Sequence, residues 1–442
     1  MTRREQAIVF KALGHPERLA MVKRLGVREC CVCELLESTE QVQKKLIQRE
    51  TQISKKRACH VDMFWLGTFM ARKRWIVPWK DSLVKPVFYH CISRVVDRQL
   101  VFGPEEKEKF RVFMRMQENF TGCRVVCYCL MCNHIHLLVE VPPGPVGGFS
   151  DDALLGRLRA IYSEAEVAEV ARELAVARQQ VGAGLGGELL VARIHERYTY
   201  RMHDLSEFMK TLMQRFTQWF NRTHQRTGNL WEDAFKSVIV EDGVAATTMA
   251  AYIDLNPVRA GMVEDPADYR WSSYGEAVGG GPRGNGRKAR AGLVRALRAH
   301  KDTAPNPKHE IPQGIEEGAG QWPEVSREYR KILLAGAVAK SAGLAKSAGL
   351  AGRRGPTGVK RPQELAVQRA GDIPLGRMLR HRIRYFTDGA VIGSRSFVNE
   401  VFAGARERFG MQRKDGARKL RGAGSPAAGV LWSLRDLKKG VG

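Results

Sequence analysis

The segment Arg124 to Val141, RVVCYCLMCNHIHLLVEV, carries the strongest strand signal in the chain. It is rich in β-branched, aromatic and other apolar residues, has one polar break at Cys132 and Asn133, and ends at Pro142. This pattern predicts two consecutive buried strands or one bent strand. The other strands and helices of the domain are predicted relative to this segment.

Two histidines at the centre of the segment indicate a metal site. His134 and His136 alternate with Ile135 in a predicted strand, so the two imidazoles share one face while Ile135 packs on the other. Neighbouring imidazoles on one face are a metal-binding pair by geometry. Such a triplet also arises by chance, and a hydrogen-bonded strand histidine is the commoner arrangement.

A helix further along the chain strengthens the metal interpretation. Met249 to Leu255 predicts a helix that ends before Pro257. Tyr252 and Asn256 are four residues apart and therefore on one helix face. A tyrosine hydroxyl attacks a phosphate that a divalent cation has polarised, and two histidines with an amide oxygen can hold such a cation. By itself, Tyr252 is better explained as a core aromatic of an amphipathic helix, and the two histidines together with it reverse that preference.

The order of the predicted elements indicates the fold class. A strand, a helix, two strands, a helix, a strand and a final helix favour an α+β domain, namely a ferredoxin-like antiparallel sheet with helices on one face. His90 lies on the first of these strands, Val87 to Val95, and is interpreted as a core or substrate-side residue. The amphipathic helix before the last strand is predicted over Met202 to Phe220, and residues 151–200 are predicted as a helical insertion.

Three ordered blocks resemble a known family. CNHIHLLVE (132–140), NLWEDAFKS (229–237) and YIDLNPVRAG (252–261) resemble IS200-like Y1 transposases, especially the REP-associated tyrosine transposase branch. The resemblance covers roughly residues 70–277 and implies an HUH nuclease fold. It also implies that His134 and His136 are metal ligands, that Tyr252 is the nucleophile, and that Asn256 is the third ligand, where many relatives have Gln.

The function implied by this resemblance is DNA strand transfer. The chain is expected to be a metal-dependent transposase that cleaves and rejoins single-stranded or hairpin DNA through a 5′-phosphotyrosine intermediate. The expected cofactor is Mg²⁺ or Mn²⁺, without a nucleotide cofactor.

The candidate DNA contacts lie mainly in the segment Phe220 to Trp231. Basic residues interleaved with turn formers and an aromatic residue favour phosphate contact and base stacking, although a solvated basic loop has the same composition. The candidates are Arg222, Arg226, Asn229, Trp231, Lys236 and Arg259.

Composition supports a nucleic-acid partner. A formal net charge of +25, from 72 Lys and Arg against 47 Asp and Glu, favours polyanions. The sequence contains no long uninterrupted apolar run and no apolar signal core, so we expect no membrane partner and a cytoplasmic, nucleoid-associated protein. The nine cysteines are expected to be reduced thiols.

The catalytic domain is predicted over residues 70–278. The sequences before and after it have less regular patterns. Residues 1–69 resemble a truncated ArsR-type repressor fragment followed by a linker. The alternative interpretation is that the start codon is assigned too early. Residues 279–374 are predicted to be a flexible low-complexity linker that includes the duplicated AKSAGL of residues 339–350, with partial folding allowed within Leu293 to Leu334. Residues 375–442 are predicted to be a basic helical tail that binds DNA.

Other functions are considered beside the transposase. A catalytically inactive or domesticated relative would keep the fold and bind DNA. A DNA-binding regulator would need a recognition helix in residues 40–69, where none is indicated, and a zinc hydrolase would need a nearby glutamate as general base. Whether the protein acts as a monomer or a homodimer stays open.

Overall fold

The computed structural model describes residues 77, 79, 85–184, 186–280, 286–298, 318–347, 385–388, 390–409, 413–420 and 431–434. All of them belong to the second of two compact units, Lys73–Gly442. The predicted repressor-like fragment, residues 1–69, therefore lies outside the described residues.

A mixed sheet forms the centre of this unit. Its strands in the described residues are β1 (Val87–Arg94), β2 (Arg124–Leu130), β3 (His134–Val141), β4 (Lys236–Val240), β5 (Val391–Gly393), β6 (Arg418–Lys419) and β7 (Trp432–Leu434). Their order is β2-β3-β1-β4-β5-β7-β6. The first four are antiparallel to their neighbours, whereas β5 runs parallel to β4.

The helices of the described residues are α1 (Pro104–Thr121), α2 (Asp151–Leu158), α3 (Glu164–Gly182), α4 (Glu188–Thr199), α5 (Leu205–Thr223), α6 (Val244–Asp254), α7 (Asn256–Ala260), α8 (Ser273–Gly279), α9 (Gly286–Leu297), α10 (Trp322–Ser347), α11 (Tyr385–Asp388) and α12 (Arg395–Gly404). Across the described ranges, no helix is both long enough and apolar enough to cross a bilayer.

The first four strands with α1 and α5 form the predicted ferredoxin-like core. The chain order β1-α1-β2-β3-α5-β4 with the sheet order β2-β3-β1-β4 confirms the α+β prediction. The predicted pair of strands within 124–141 is confirmed too, with the break between Leu130 and His134. Helix α5 packs on the sheet through Phe208, Leu212 and Phe216, at the helical spacing that the sequence shows.

Helices cover the opposite face of the sheet as well. There α6, α9 and α10 place Ala250, Leu293 and Leu333 in one cluster with Phe88 and Leu138 of the strands. Strand β1 is therefore buried on both faces, which explains why its sequence is almost continuously apolar instead of alternating.

The predicted insertion forms a small helical subdomain between β3 and α5. Helices α2, α3 and α4 bury Leu154, Leu174 and Ile194 in a cluster of their own, which includes Phe120 of α1. A capping box between Ser163 and Glu166 starts α3. These elements span Asp151–Thr199, close to the predicted 151–200.

The flexible linker predicted over residues 279–374 is wrong for its described helical residues outside Leu293 to Leu334, the segment in which partial folding was expected. Helices α9 and α10 lie within residues 279–374, and α10 continues through Ser347 into the duplicated AKSAGL. A glycine in α9 allows close packing of this helix on the sheet. A Cβ atom on Gly292 of α9 would lie 2.7 Å from the carbonyl oxygen of Val126 on β2.

The described part of residues 375–442 is not a separate helical module. Strand β5 pairs with β4 and β7 pairs with β5, so this region extends the central sheet. Among the described residues of this region, α12 is the longest helix of the predicted helical tail. The strands were not predicted because each has three residues or fewer, too short for an alternating pattern.

Candidate functional site

Three imidazoles lie on the face of the sheet that α6 covers. His90 is on β1, and His134 and His136 are on β3. In the β1–β3 register, Arg94 lies opposite His134 and Ile92 lies opposite His136. Since alternate residues of a strand share a face, these side chains and His90 project from the same side of the sheet.

Hydrogen bonds connect this cluster to its surroundings. Nε2 of His90 lies 3.0 Å from Nδ1 of His136, and Nδ1 of His90 lies 2.8 Å from the backbone oxygen of Phe386. Nδ1 of His134 lies 2.7 Å from Oδ1 of Asn133. The side-chain nitrogen of Asn133 donates to the backbone oxygen of Arg98 at 3.0 Å.

Burial keeps the three imidazoles neutral at pH 7. Desolvation lowers the pKa of His90 to about 4, and the positive charge of Arg259 acts in the same direction. Desolvation, assisted by Arg94, lowers the pKa of His134 to about 4. The pKa of His136 falls well below its usual value, first through burial and then through its two imidazole neighbours. Neutral imidazole is the form that binds a metal.

Tyr252 faces this cluster from α6. Its ring centroid is 6.1 Å from that of His90 and 6.2 Å from that of His136. The ring of Phe386 lies 4.5 Å away, and the guanidinium of Arg259 lies over the tyrosine ring at 4.1 Å. Tyr252 is 8% exposed, so the tyrosine sits in a largely enclosed site.

A buried carboxylate anchors the helix that carries Tyr252. Asp254 accepts hydrogen bonds from the hydroxyl of Tyr329 at 2.7 Å and from the backbone N–H of Tyr274 at 3.0 Å. Complete burial raises the pKa of Asp254 to about 6 despite these bonds. The C-terminal end of α6 is thereby held by α8 and α10, both of which follow it in sequence.

Asn256 lies beside Tyr252 but in a new helix. Asn256 is the first residue of α7 and Pro257 the second, and Nδ2 of Asn256 donates to the backbone oxygen of Ile253 at 3.0 Å. Oδ1 of Asn256 accepts from Arg259 at 2.9 Å, and Arg259 also donates to the backbone oxygen of Tyr252. Asn256 therefore joins Arg259 to the end of α6.

These residues fit a divalent cation through nitrogen and amide oxygen donors. His134 and His136 offer two neutral imidazoles, and an amide oxygen keeps a second lone pair after accepting one bond from Arg259. In the described part of the chain, no group of three or more His, Cys, Asp or Glu side chains is placed to hold a metal. Asn256 stays the predicted third donor.

One predicted DNA contact is wrong. Trp231 is 4% exposed, packs against Phe102 and Phe110, and donates its Nε1–H to Oγ1 of Thr217 at 3.0 Å. An isolated β-bridge pairs Trp231 with Val95 and holds Trp231 in the core. Its ring is therefore unavailable for base stacking.

The other predicted DNA contacts occupy different parts of the surface. Arg222 is exposed at the end of α5, and Arg226 and Asn229 follow in the loop that leads to β4. Asn229 uses its amide to hold the backbone of Trp231. Arg259 lies on the ring of Tyr252, as described above.

Two exposed cations share the face of the imidazoles. Lys236 on β4 lies opposite Ile92, which itself lies opposite His136, so the three form one row across the sheet. Arg94 is exposed and lies opposite His134. Arg94 was missed by the sequence analysis, although its spacing from His90 along one strand places both on one face.

The comparisons with known proteins concern the strands that carry the histidines. Residues 84–145, which include β1, α1, β2 and β3, match the family model described as "Transposase IS200 like". The IS200-like resemblance is confirmed. This IS200-like segment contains His90, His134 and His136 and ends before Tyr252.

A solved structure also matches the chain beyond the IS200-like segment. It is described as "Structure of the REP associates tyrosine transposase bound to a REP hairpin", with 12% identity and a TM-score of 0.30. The match covers 48% of this chain and 86% of that chain. No curated protein matches the chain.

Proposed function

We propose that this chain is a tyrosine transposase that cleaves and rejoins single-stranded or hairpin DNA. The observation that carries the proposal is the packing of α6 on β3, which places the ring of Tyr252 next to the ring of His136. An IS200-like match over the histidine strands supports the same reaction class. The Tyr252 hydroxyl would be the nucleophile, and a DNA phosphodiester would be its substrate.

The proposed step is a transesterification. The Tyr252 oxygen attacks phosphorus and loses its proton, while the bond from phosphorus to the 3′-oxygen breaks and that oxygen takes up a proton. A 5′-phosphotyrosyl link and a free 3′-hydroxyl result. One phosphodiester replaces another, so the step reverses on a second DNA end without a nucleotide cofactor.

The residues around Tyr252 would prepare this step. Arg259, stacked on the ring and bonded to the backbone oxygen of Tyr252, fixes the direction of the nucleophile. His134, His136 and Asn256 would hold a divalent cation, Mg²⁺ or Mn²⁺, which supplies positive charge to polarise the phosphate. Arg94 and Lys236 would bind flanking phosphates along the same face of the sheet.

The test is a covalent-adduct assay on the full-length chain. Purified protein is incubated with Mn²⁺ or Mg²⁺ and labelled hairpin DNA from the flanks of its own gene, then separated on denaturing gels. We expect a protease-sensitive adduct that disappears in Tyr252→Phe and in His134→Ala. Tyr200→Phe is the matched control, because Tyr200 is 61% exposed in the helical insertion and should leave the adduct unchanged.

Two results would contradict the proposal. An adduct that persists in Tyr252→Phe would assign the nucleophile to another group. Tight DNA binding without an adduct on any flank would instead indicate a DNA-binding protein that has lost the chemistry.

A further inference from the structure

Two chains of hydrogen bonds end on the histidine pair, and each begins at a backbone carbonyl. A carbonyl oxygen only accepts hydrogen bonds, so it fixes the proton on the group that faces it. Each carbonyl thus determines where the protons lie along its chain of bonds.

The first chain runs from Arg98 through Asn133 to His134. The carbonyl of Arg98 requires the NH₂ group of Asn133 to face it, which leaves Oδ1 of Asn133 toward His134. Because Oδ1 is an acceptor, Nδ1 of His134 must carry the proton. In neutral His134, Nε2 then keeps its lone pair.

The second chain runs from Phe386 through His90 to His136. The carbonyl of Phe386 requires a proton on Nδ1 of His90. Neutral His90 therefore accepts at Nε2, and the partner at 3.0 Å, Nδ1 of His136, must donate. His136 has the same tautomer as His134, again with the lone pair on Nε2.

We propose that His90 is a positioning residue that sets the tautomer of His136 so that Nε2 of His136 can bind a divalent cation. This inference rests on the proposed function, since it assigns a role within that site. His90 is not itself a ligand in this arrangement, because both of its ring nitrogens are engaged, one by Phe386 and one by His136. Hydrogen bonds to the second nitrogen of a metal-binding histidine commonly fix its tautomer and ring orientation.

The decisive measurement is the tautomer of His136 in the metal-free protein. Full-length protein labelled with ¹⁵N in its histidine rings is studied by long-range ¹H–¹⁵N correlation at neutral pH, with signals assigned through His136→Gln and His134→Gln. We expect His136 to be protonated on Nδ1 in the unsubstituted protein. Protonation on Nε2 would overturn the proposal, whether or not the protein cleaves DNA.

A matched pair of substitutions at His90 tests the direction of the effect. Glutamine keeps an acceptor for the His136 N–H, whereas methionine has a similar length and no comparable acceptor. Mn²⁺ binding, followed by the loss of the free-ion electron paramagnetic resonance signal, should weaken about 10- to 100-fold in His90→Met. His90→Gln should stay within about threefold of the unsubstituted protein on the same outer-shell argument.

The two proposals fail in different ways. Equal Mn²⁺ affinity in the two His90 variants would overturn the positioning role even if the covalent adduct forms. Conversely, an Nδ1-protonated His136 that changes tautomer in His90→Met would support the positioning role, even in a protein that forms no adduct and has no transposase activity.

Discussion

At the scale of single residues, burial sets the charge of the candidate site. The imidazole of His90 is 0% exposed, and its pKa is lowered to about 4 from an ordinary value of 6.5. A charged form would lose its hydration in this environment, so the folded protein holds the neutral form. The unfolded chain has no such restriction.

This difference predicts that the metal-free protein loses stability in mild acid. Below pH 6.5 the unfolded chain takes up a proton at His90, whereas the folded chain does so only near pH 4, so the free energy of unfolding falls between these values. From about pH 7.5 to about pH 5, the contribution of His90 is roughly 2 kcal/mol. Urea unfolding at both pH values should show a smaller loss in His90→Gln. An equal loss in both proteins would show that His90 titrates normally.

A second residue-scale prediction concerns the exposed cations beside the imidazoles. Arg94→Gln and Lys236→Gln should each weaken binding of single-stranded DNA and lower the slope of log affinity against log salt by roughly 0.7, because each removes one phosphate contact. Fluorescence anisotropy across a salt series measures both quantities. Lys210→Gln is the control, since Lys210 is exposed on α5 at the other face of the sheet. An unchanged slope in both variants would place the DNA elsewhere.

Spacing along the chain revealed part of the site at this scale. His134, His136 and Tyr252 were identified because strand periodicity, helix periodicity and a family resemblance can each be recognised within a short segment of sequence. Phe386 was not, because it is separated from His90 by 296 residues in sequence. Arg94 could be placed on the face of His90 by spacing, but its position opposite His134 comes from strand pairing. Trp231 was misplaced because composition alone does not distinguish a loop aromatic from a core aromatic.

At the scale of elements, helix packing distinguishes two glycines with opposite roles. Gly292 of α9 lies against the backbone of β2, and an added Cβ would be 2.7 Å from the oxygen and 3.0 Å from the Cα of Val126. Gly156 is exposed in α2, and an added Cβ would meet nothing within 4 Å. Gly292 permits close contact between α9 and β2. Gly156 makes no such contact, and its effect is to give the unfolded chain more backbone freedom.

The two glycines therefore predict stability changes of opposite sign. Gly292→Ala should lower the free energy of unfolding by about 1–3 kcal/mol, because backbone atoms cannot move aside easily. Gly156→Ala should raise it by about 0.5–1 kcal/mol through better helix propensity. Urea denaturation measures both. Stabilisation by Gly292→Ala would mean that α9 packs less closely on β2.

The sequence correctly predicts the elements whose hydrophobic periodicity extends over many residues. The strand pair within 124–141 and the helix α5 have such patterns. By contrast, α9 and α10 lie in sequence rich in glycine, alanine and charge, and their burial depends on the apolar face of a sheet formed earlier in the chain. Composition therefore indicated a linker where tertiary packing produces helices.

At the scale of the whole molecule, the C-terminal strands belong to the same cooperative core as the site. Ile392 of β5 is fully buried, pairs with Val240 of β4, and lies in one cluster with residues of α6. A separate tail module would unfold independently of the ferredoxin-like core. A shared sheet should unfold as one unit.

This arrangement predicts that Ile392→Ala destabilises the entire second unit. Removing the buried side chain should cost about 2–5 kcal/mol and shift the tryptophan fluorescence and circular dichroism transitions together. Val278→Ala is the control, because Val278 is 50% exposed and should change little. A shift confined to a small separate transition would show that residues 385–434 fold independently.

The pairing of β7 with β5 also determines when the candidate site can be completed during synthesis of the chain. Residues near 434 must leave the ribosome before the sheet closes, and Phe386 must have emerged before its carbonyl can reach His90. Contacts of such long sequence separation form late and slowly. A nascent chain on the ribosome would thus carry Tyr252 and both histidines without the finished site, so strand cleavage by the proposed transposase would wait until residues near 434 have emerged.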